Sequence, residues 1–407
     1  MIAERVYDYA FVGAGLAGLL TAMAIRRHPD LQDKSILLID PDPKEAADHT
    51  WSYWTDSPTP YDHLSFGNYT TASVYGPTGK HHQLELAPYI YRSIRSEDFY
   101  AFAKAELSPH YPTSKDLDKA GTDEDVHAAA APYDHTVTWI REHVDSIRSG
   151  GQKFHLLLTA SAKYRATHVF DSRFDTKEKK WNTGLLQHFK GIVIRSKKLN
   201  LDTSHMVMMD YRLTVPDLTT FTYVLPLAPD RMLVEFTHFD LQIAPDEQYD
   251  KYLNEYVSRY YNLDPEDYHV VETESGVIPM VVPKVEKSTP GVTKIGTAGG
   301  WVKASSGYSF SMALQHSETI ASQLAEGQLP SIMQHSKYRF YDQVLIDILR
   351  DHNNEGPAIF ERMYSKNKPG ALFKFLDEKS SFTDDLRIMS SLFSGRFIQY
   401  GIKTLLK

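Results

Sequence analysis

A glycine-rich turn between a short apolar strand and a helix constrains the fold more than any other feature of this chain. Residues 7–12 are typical of a buried β-strand, residues 19–28 of a helix, and residues 35–39 of a second strand that ends on Asp40. The turn itself reads Gly13-Ala14-Gly15-Leu16-Ala17-Gly18. Strand, G-x-G-x-x-G, helix, strand and acid, in this order, are the fingerprint of a Rossmann-type βαβ unit that binds a dinucleotide.

Each glycine of this turn has a physical role. Gly13 allows the tight turn, Gly15 lets the backbone approach a pyrophosphate, and Gly18 lets the helix pack closely on the strand. The amides and the positive dipole at the start of the helix favour bound phosphate, and Asp40 stands where a carboxylate accepts hydrogen bonds from ribose hydroxyls. A tight βαβ turn that binds nothing is the alternative. The cofactor-binding residues expected here are Gly13, Ala14, Gly15, Leu16, Ala17, Gly18 and Asp40.

The early position of the fingerprint favours FAD over NAD, by analogy with flavoproteins of the glutathione-reductase type. A second glycine-rich segment, Gly296-Thr297-Ala298-Gly299-Gly300, precedes Gly307-Tyr308-Ser309 and a predicted helix. Flavoproteins of this fold return late in the chain to hold the ribityl chain and the isoalloxazine, so we expect Gly296, Gly307, Tyr308 and Ser309 to contact the cofactor. A purely structural loop is the alternative.

Composition limits the classes of function. A chain of 407 residues with 42% hydrophobic content has enough apolar side chains for a large core in two closely joined domains. A net charge of −8 argues against general nucleic-acid binding. The absence of cysteine excludes disulfides, thiolate metal sites and cysteine nucleophiles, and no histidines show metal-ligand spacing, so no metal is expected. The first strand starts close to Met1 and no apolar run is long enough to span a bilayer, so we expect a cytoplasmic protein.

The order of elements predicts an α/β fold with a Rossmann-type, glutathione-reductase-like FAD domain, an antiparallel-sheet substrate domain and a helical C-terminal region. The FAD domain is expected to be discontinuous, over residues 1–85, 135–185 and 265–330. Consecutive strand patterns without helices between about 185 and 240 predict the antiparallel sheet, so the substrate domain is assigned to residues 86–134 and 186–264. Residues 112–134 are predicted to form a loop or short helices, and residues 331–407 the helical region.

Several short motifs follow one another over nearly the whole chain. They are Asp48-His49-Thr50-Trp51-Ser52-Tyr53, Met209-Asp210, Tyr223-Val224-Leu225-Pro226-Leu227, Leu233-Val234-Glu235-Phe236-Thr237, Glu274-Ser275-Gly276-Val277-Ile278-Pro279 and Gly307-Tyr308-Ser309-Phe310. The ordered set resembles the signature of lycopene cyclases, the flavin-dependent enzymes that close the end rings of carotenoids. The family's V-x-D-x-R-G turn is similar to residues 169–174, which adds Asp171 to the expected cofactor-binding residues, although Phe174 replaces the glycine. Asp48 stands where the family commonly has Asn, and residues 301–306 lack its usual Pro-Thr. A divergent member is therefore consistent with the sequence.

The resemblance implies a non-redox reaction. A proton added to the terminal alkene of a linear, lycopene-like carotenoid gives a tertiary cation, an internal double bond attacks it, and loss of a ring proton leaves a β-ionone ring. FAD would serve in its reduced form, with NAD(P)H as the candidate reductant. Two alternatives stay open: a redox flavoenzyme (monooxygenase, dehydrogenase or saturase) acting on an apolar polyene or prenylated compound, and a flavin- or polyene-binding protein without turnover.

Glu235 is the predicted acid of this reaction. It lies in an apolar strand, which would desolvate its carboxyl group and raise its pKa. Alternation along the strand also permits a solvent-exposed Glu235. Glu274 is a weaker candidate for a role near the flavin.

His49, Trp51 and Asp210 are the predicted substrate-binding residues. A packed aromatic loop is the alternative for His49 and Trp51. Pairing with Arg212 or Arg231 is the alternative for Asp210.

The last stretch of the chain, residues 387–407, combines apolar side chains with basic charges only. A helix of this kind can lie in the interface of an anionic membrane. We therefore expect peripheral contact with the cytoplasmic membrane through the C-terminal region, with packing against the protein's own domain as the alternative.

Overall fold

The structure is a computed structural model, and it describes residues 2–46, 49–107, 137–151, 153–174, 184–282, 290–332, 335–392 and 394–406. Asp48 and the segment 112–134 lie outside these ranges. The strands, in chain order, are β1 (Ile2–Val12), β2 (Ile36–Ile39), β3 (Thr50–Thr55), β4 (Ser65–Tyr69), β5 (Thr71–Tyr75), β6 (His81–Glu85), β7 (Ile90–Arg95), β8 (Val137–Ile140), β9 (Val144–Ser149), β10 (His155–Thr159), β11 (Lys163–Asp171), β12 (Leu186–Arg195), β13 (His205–Asp210), β14 (Thr219–Ala228), β15 (Arg231–Asp240), β16 (His269–Pro279) and β17 (Val292–Lys294). The α-helices are α1 (Leu16–Arg27), α2 (Ser96–Leu107), α3 (Asp246–Tyr261), α4 (Phe310–Ala325), α5 (Ser336–Asp351), α6 (Gly356–Lys366), α7 (Pro369–Leu376), α8 (Phe382–Leu392) and α9 (Gly395–Leu405).

The first sheet has the strand order β8-β2-β1-β11-β10-β9, with β17 beside β11. Strands β8, β2, β1, β11 and β17 run parallel, whereas β9 and β10 form an antiparallel extension. The parallel strands are apolar on both faces. One face packs on helices, and there Phe11 and Phe170 stack with ring centroids 4.8 Å apart. The other face packs on residues of β9 and β10. Helix α1 follows β1 through the glycine turn and packs against α4 and α2. This layer confirms the predicted Rossmann-type unit.

The second sheet has the order β16-β12-β15-β14-β13-β5-β6 and is antiparallel except where β13 runs beside β5. One face packs on α3, where Tyr249, Leu253 and Tyr256 are buried against Val234 and Phe236. The other face belongs to a separate core shared with helices of the C-terminal region. The antiparallel sheet is thus covered on both faces.

The layers differ from the predicted domain boundaries. Strands β5 and β6, predicted within the FAD segment 1–85, and β16, predicted within 265–330, belong to the second sheet. Helix α2, predicted within the substrate segment 86–134, packs on α1 of the first layer. The position of these elements depends on partners that lie far away in the sequence. Local sequence patterns do not encode such long-range contacts.

A small antiparallel sheet of β3, β7 and β4 connects the two layers, since β3 contacts α4 and β4 contacts β14. Helices α5 to α9 form the predicted helical C-terminal region. Helix α9 packs on α5 with Phe397 and Tyr400 inward, and it leaves Ile398, Ile402 and Leu405 exposed. No helix in the described part of the chain has both the length and the apolar character needed to cross a bilayer.

Candidate active site

A cavity of about 640 Å³ lies where the glycine turn of α1, the second sheet and the C-terminal helices meet. Part of its wall is backbone of the two glycine-rich segments, and part is carboxyl and hydroxyl groups of the second sheet and β3. A further part is apolar and comes from β13, β14, β15 and the C-terminal helices: Met208, Met209, Phe221, Phe239, Phe360, Met363, Leu392 and Phe397. The predicted site residues that line it are Gly15, Leu16, Ala17, Gly18, His49, Trp51, Glu235, Gly296, Gly307, Tyr308 and Ser309.

The glycine turn has the shape of a phosphate cradle. Gly13 has a φ of +102°, and a Cβ atom there would lie 2.0 Å from Ser172 Oγ. A Cβ atom at Gly18 would lie 2.3 Å from the carbonyl oxygen of Gly13, whereas at Gly15, which lines the cavity, it would meet nothing within 4 Å. No side chain caps the start of α1 at Gly15. Open space at an uncapped helix N-terminus fits the pyrophosphate of a dinucleotide.

Four of the predicted cofactor-binding residues, Gly13, Ala14, Asp40 and Asp171, lie outside the cavity wall formed by the described residues. Gly13 and Ala14 lie beneath it, and the Ala14 amide donates a hydrogen bond of 2.7 Å to Asp40 Oδ2. Asp171 is buried, and both Arg173 and Lys294 bond its carboxylate at 2.9 Å. The ribose contact of Asp40 and the cofactor contact of Asp171 stay predictions. Ser172 and Phe174, just after β11, do line the cavity.

The second glycine-rich segment forms a partly buried loop over the cavity. Gly296 and Gly307 have φ values of +60° and +77°, and a Cβ atom at Gly307 would lie 2.8 Å from Ile278 Cδ1. Between them, the buried ammonium group of Lys303 lies 2.9 Å from Asp342 Oδ2 and 3.2 Å from Glu378 Oε1. The loop is therefore joined to the C-terminal region by ion pairs.

Glu235 lies on the cavity face of β15, within a row of four residues directly opposite one another on adjacent strands. This cross-strand row consists of Tyr223 on β14, Glu235 on β15, Gly191 on β12 and Glu274 on β16. Burial, followed by the nearby Glu274 carboxylate, raises the pKa of Glu235 to about 8, although a hydrogen bond of 2.8 Å from Thr237 Oγ1 opposes the rise. Glu235 is thus a protonated acid at neutral pH, as predicted from its apolar strand.

A chain of hydroxyl groups lies beside the cross-strand row. Ser52 Oγ is 3.3 Å from the Tyr223 hydroxyl, which donates to Tyr91 at 3.0 Å. The Tyr91 hydroxyl in turn lies 3.0 Å from that of Tyr308. Burial raises the pKa of all three tyrosines well above their usual value, and Glu235 adds to the rise for Tyr308. The chain therefore consists of neutral hydroxyls close to the acid.

Trp51 lies on β3, and His49 immediately precedes this strand. The rings of His49 and Trp51 stack at 5.8 Å, and Trp51 meets Phe99 edge-on, so both line the cavity within a packed aromatic cluster. On the alternate face, Thr50 Oγ1 donates a hydrogen bond of 2.8 Å to Glu274 Oε2.

Asp210 lies apart from the cavity wall formed by the described residues. Its fully buried carboxylate accepts hydrogen bonds from Arg212 Nε at 2.9 Å and from the Tyr256 hydroxyl at 2.7 Å. The structure therefore contains the pairing with Arg212 that the sequence left as an alternative. The neighbouring Met208 and Met209 line the cavity.

Sequence reasoning underestimated Glu274, and of the three tyrosines in the hydroxyl chain it assigned a role only to Tyr308. Glu274 lies on the same face of β16 as Gly276 and Ile278, all three of which line the cavity. Alternation along β16 places Glu272, Glu274, Gly276 and Ile278 on one face and could have predicted this position of Glu274. The two acidic residues at its start, however, are typical of a face exposed to solvent. Nothing in the sequence marks Tyr91 among 25 tyrosines, and Tyr223 was noted only as the first residue of a family motif.

The fold is the one shared by FAD-dependent oxidoreductases and halogenases. A geranylgeranyl bacteriochlorophyll reductase-like protein from Thermoplasma acidophilum superposes with a TM-score of 0.59 at 13% identity, covering 97% of this chain and 98% of that one. The flavin-dependent brominase Bmp2 gives 0.56 at 13% identity, with coverages of 92% and 94%. CtdE, solved in complex with FAD, gives 0.51 at 11% identity, with coverages of 98% and 100%.

The sequence profile described as "Lycopene cyclase protein" matches residues 8–115 and 113–399. The chain belongs to the lycopene cyclase family. It is also similar to the lycopene beta-cyclase of Pantoea ananas, at 25% identity over 243 residues. That alignment covers 57% of this chain and 52% of the relative, about half the length of each.

Proposed function

We propose that this protein is a flavin-dependent, non-redox cyclase that closes the end groups of a linear, lycopene-like carotenoid to β-ionone rings. The observation that carries the proposal is a carboxylic acid, Glu235, held protonated on the wall of a largely apolar cavity that also contains a phosphate cradle. Proton-initiated cyclisation needs such an acid next to an alkene in a dry site. Membership of the lycopene cyclase family supports the same reaction.

In this proposal FAD is held by the start of α1, with Gly15 beneath the pyrophosphate, and by the loop that carries Gly296 and Gly307. Reduced FAD, when bound, supplies negative charge that stabilises a nearby cation. NAD(P)H is the proposed reductant, on the family resemblance.

Glu235 starts the reaction by donating its proton to the terminal alkene, which creates a tertiary cation in the substrate. The faces of the Tyr91, Tyr223 and Tyr308 rings are electron-rich, and aromatic faces stabilise adjacent positive charge. Met208, Met209 and Phe221 exclude water that would otherwise capture the cation. The reaction is an isomerisation, since the proton added at one carbon is balanced by the proton lost from the ring.

A redox flavoenzyme acting on an apolar polyene or prenylated compound is the second candidate. It is favoured by the solved structures of similar fold, which include proteins described as a reductase-like protein and a monooxygenase. Product mass separates the two candidates: cyclisation leaves it unchanged, oxygenation adds oxygen, and saturation or desaturation changes the hydrogen count.

The test is expression in a host that accumulates lycopene, followed by mass and absorption analysis of the pigments. The wild type is expected to give a blue-shifted product of unchanged mass, because each ring closure takes a double bond out of effective conjugation. Glu235→Gln should leave lycopene unchanged and FAD bound, whereas Asp240→Asn, on the same strand but outside the cavity wall, should behave as wild type. A product of changed mass would move the protein to the redox class.

The proposal includes peripheral contact of α9 with the cytoplasmic membrane, where a carotenoid dissolves. Phe397 on the inner face of α9 lines the cavity, while Ile398, Ile402, Leu405 and Leu406 are exposed. Arg396 and Lys403 add basic charge to the same helix. An apolar and basic helix that also forms the cavity wall would let a lipid-dissolved substrate enter without crossing water.

A further inference from the structure

The glycine of the cross-strand row creates a space between two carboxyl groups. Gly191 lies directly opposite Glu235 on one side and Glu274 on the other, and directly opposite residues of a sheet carry their side chains on the same face. A Cβ atom at Gly191 would lie 3.1 Å from Glu274 Cγ and 3.3 Å from Glu274 Oε1. A Cβ atom there would also lie 3.1 Å from Leu233 Cδ1. The absence of a side chain at Gly191 therefore lets the Glu274 side chain lie over the strand that separates it from Glu235, on the cavity side of the sheet.

The two carboxyl groups have different surroundings. Around Glu235 are the Glu274 carboxylate and the hydroxyl of Thr237. Around Glu274 are the Thr50 hydroxyl, the Glu272 carboxylate, and the positive or protonatable groups of Arg95 and His49. Burial raises the pKa of Glu274 as well, but Thr50, Arg95 and His49 favour its charged form. Thr50, Arg95 and His49 thus favour a charged Glu274, and burial beside it favours a protonated Glu235, so the pair is suited to hold a proton on Glu235.

We propose that Glu274 is the base that accepts the ring proton in the last step of the reaction, and that the two carboxyl groups afterwards exchange that proton across Gly191. This inference rests on the proposed cyclase function. It assigns the second proton transfer to a residue of the chain.

The proton count of this cycle balances. The Glu235 O–H bond breaks as a C–H bond forms on the terminal alkene, and the electrons of an internal double bond then form the ring C–C bond. A ring C–H bond breaks, its electron pair becomes the ring double bond, and the proton goes to the Glu274 carboxylate. The two carboxyl groups then again hold one proton, which is now on Glu274. Its transfer to Glu235 restores the starting state. No oxidant or reductant is consumed.

The decisive comparison is between Glu274→Gln and Glu272→Gln. Glu272 lies on the same strand but outside the cavity wall formed by the described residues, where it pairs with Arg95 at 2.5 Å. Glu274→Gln is expected to slow ring closure by about 10²-fold or more, the scale of general acid–base catalysis, with KM and FAD content unchanged. Its residual product should contain ring isomers in which the double bond lies elsewhere, because another group then removes a different proton. Glu272→Gln should stay within a few-fold of wild type and keep the β-ring.

A second readout does not depend on turnover. In infrared titrations of the FAD-loaded enzyme, the band of the protonated Glu235 carboxyl should disappear at lower pH in Glu274→Gln than in wild type, since the like charge is gone; Glu272→Gln should leave it in place. Glu274→Asp, which keeps an acid, should restore part of the rate and the wild-type ring isomer.

The outcomes separate the two proposals. If the wild type closes no ring on lycopene, the cyclase proposal fails. If the wild type cyclises and Glu235→Gln does not, but Glu274→Gln keeps its rate and product, only the role of Glu274 is overturned.

Discussion

Lys303 and Asp342 form an ion pair in which the exposed fractions of the two side chains are only 0% and 6%. Lys303 lies in the glycine-rich loop over the cavity, and Asp342 lies on α5 of the C-terminal region. Ser305 Oγ donates a further hydrogen bond of 2.7 Å to Asp342 Oδ1, and Glu378 accepts a second contact from Lys303. The glycine-rich loop is therefore joined by buried ion pairs to the C-terminal helices, which form part of the apolar cavity wall. This loop is proposed to hold the flavin.

Replacing Lys303 by Met should destabilise the protein by about 3–5 kcal/mol, because two buried carboxylates then lose their partner. The measurement is the free energy of unfolding in urea. Arg387→Met is the control: Arg387 is mostly exposed and pairs with Asp384 at 3.2 Å, so the loss should stay below about 1 kcal/mol. Equal effects of the two substitutions would contradict the structural role given to Lys303.

Gly15→Val and Gly18→Ala should separate cofactor binding from folding. A side chain at Gly15 points into open cavity, so the valine should abolish FAD binding while costing at most about 1 kcal/mol at the helix start. A Cβ atom at Gly18 would press against the Gly13 carbonyl oxygen, so the alanine should lower thermal stability even without FAD. Flavin absorbance measures the FAD content of each variant, and thermal melting of the apoprotein measures its stability. Full FAD content in Gly15→Val would contradict the role of this turn in binding the pyrophosphate.

The rate of ring closure should depend on pH through Glu235. Because burial raises the pKa of Glu235 to about 8, the donor is protonated below that pH, and its titration causes no fall of kcat/KM there. Above it, the rate should fall about tenfold per pH unit as the proton is lost. A profile of kcat/KM between pH 6 and 10 tests this, and a rate that stays constant to pH 10 would exclude Glu235 as the donor.

His238 should make the protein less stable in mild acid. It is fully buried beside His188, with ring centroids 5.0 Å apart, and burial followed by His188 lowers its pKa to about 3. Between the ordinary value near 6.5 and this value, the unfolded chain binds the extra proton, so stability is present above about pH 6.5 and is lost as the pH falls. At pH 5 the loss should be about 2 kcal/mol relative to pH 7.5.

His238→Phe should remove this part of the pH dependence. Urea midpoints at pH 5 and pH 7.5 should then differ by less in the variant than in wild type. If both proteins lose the same stability between these pH values, His238 does not titrate as its burial requires.

Ile402→Asp combined with Leu405→Asp should weaken binding to vesicles of phosphatidylglycerol and phosphatidylethanolamine by about 10²-fold. The two side chains are 54% and 75% exposed, and burying each in the lipid interface should contribute about 1.5 kcal/mol or more. Val270→Asp, at an exposed apolar position on β16, is the control and should bind as wild type. Sedimentation with vesicles is the measurement; unchanged binding in the double variant would remove α9 from the contact.

The sequence predicted the parts of the fold that depend on local pattern. The turn from Gly13 to Gly18 has fixed spacing and fixed flanking elements, and both the βαβ unit and the place of Gly15 follow from it. The membership of β5, β6 and β16 in the second sheet could not be predicted, because it depends on pairing with strands far along the chain.

Glu235 illustrates the same limit within the site. Alternation along β15 grouped it with Leu233, Thr237 and Phe239 and left open whether that face meets water. The structure covers both faces of the sheet, one with α3 and the other with the cavity and the C-terminal helices, so the period-two pattern carried no information on exposure. The role of Gly191 between Glu235 and Glu274 could not be predicted from the sequence, because it depends on the two strands that lie beside β12 in the sheet.

Under the proposed cyclase function, the carboxyl pair of Glu235 and Glu274 has a consequence for a substrate with two reactive ends. A linear polyene is long and stiff, and its termini cannot reach the same two oxygen-bearing side chains at once. A molecule processed at one terminus must therefore back out, reverse its direction and return before the other terminus meets Glu235. Half-processed product is then an obligatory, releasable species, and the ratio of singly to doubly closed pigment reports how readily the chain turns around rather than how fast the chemistry runs.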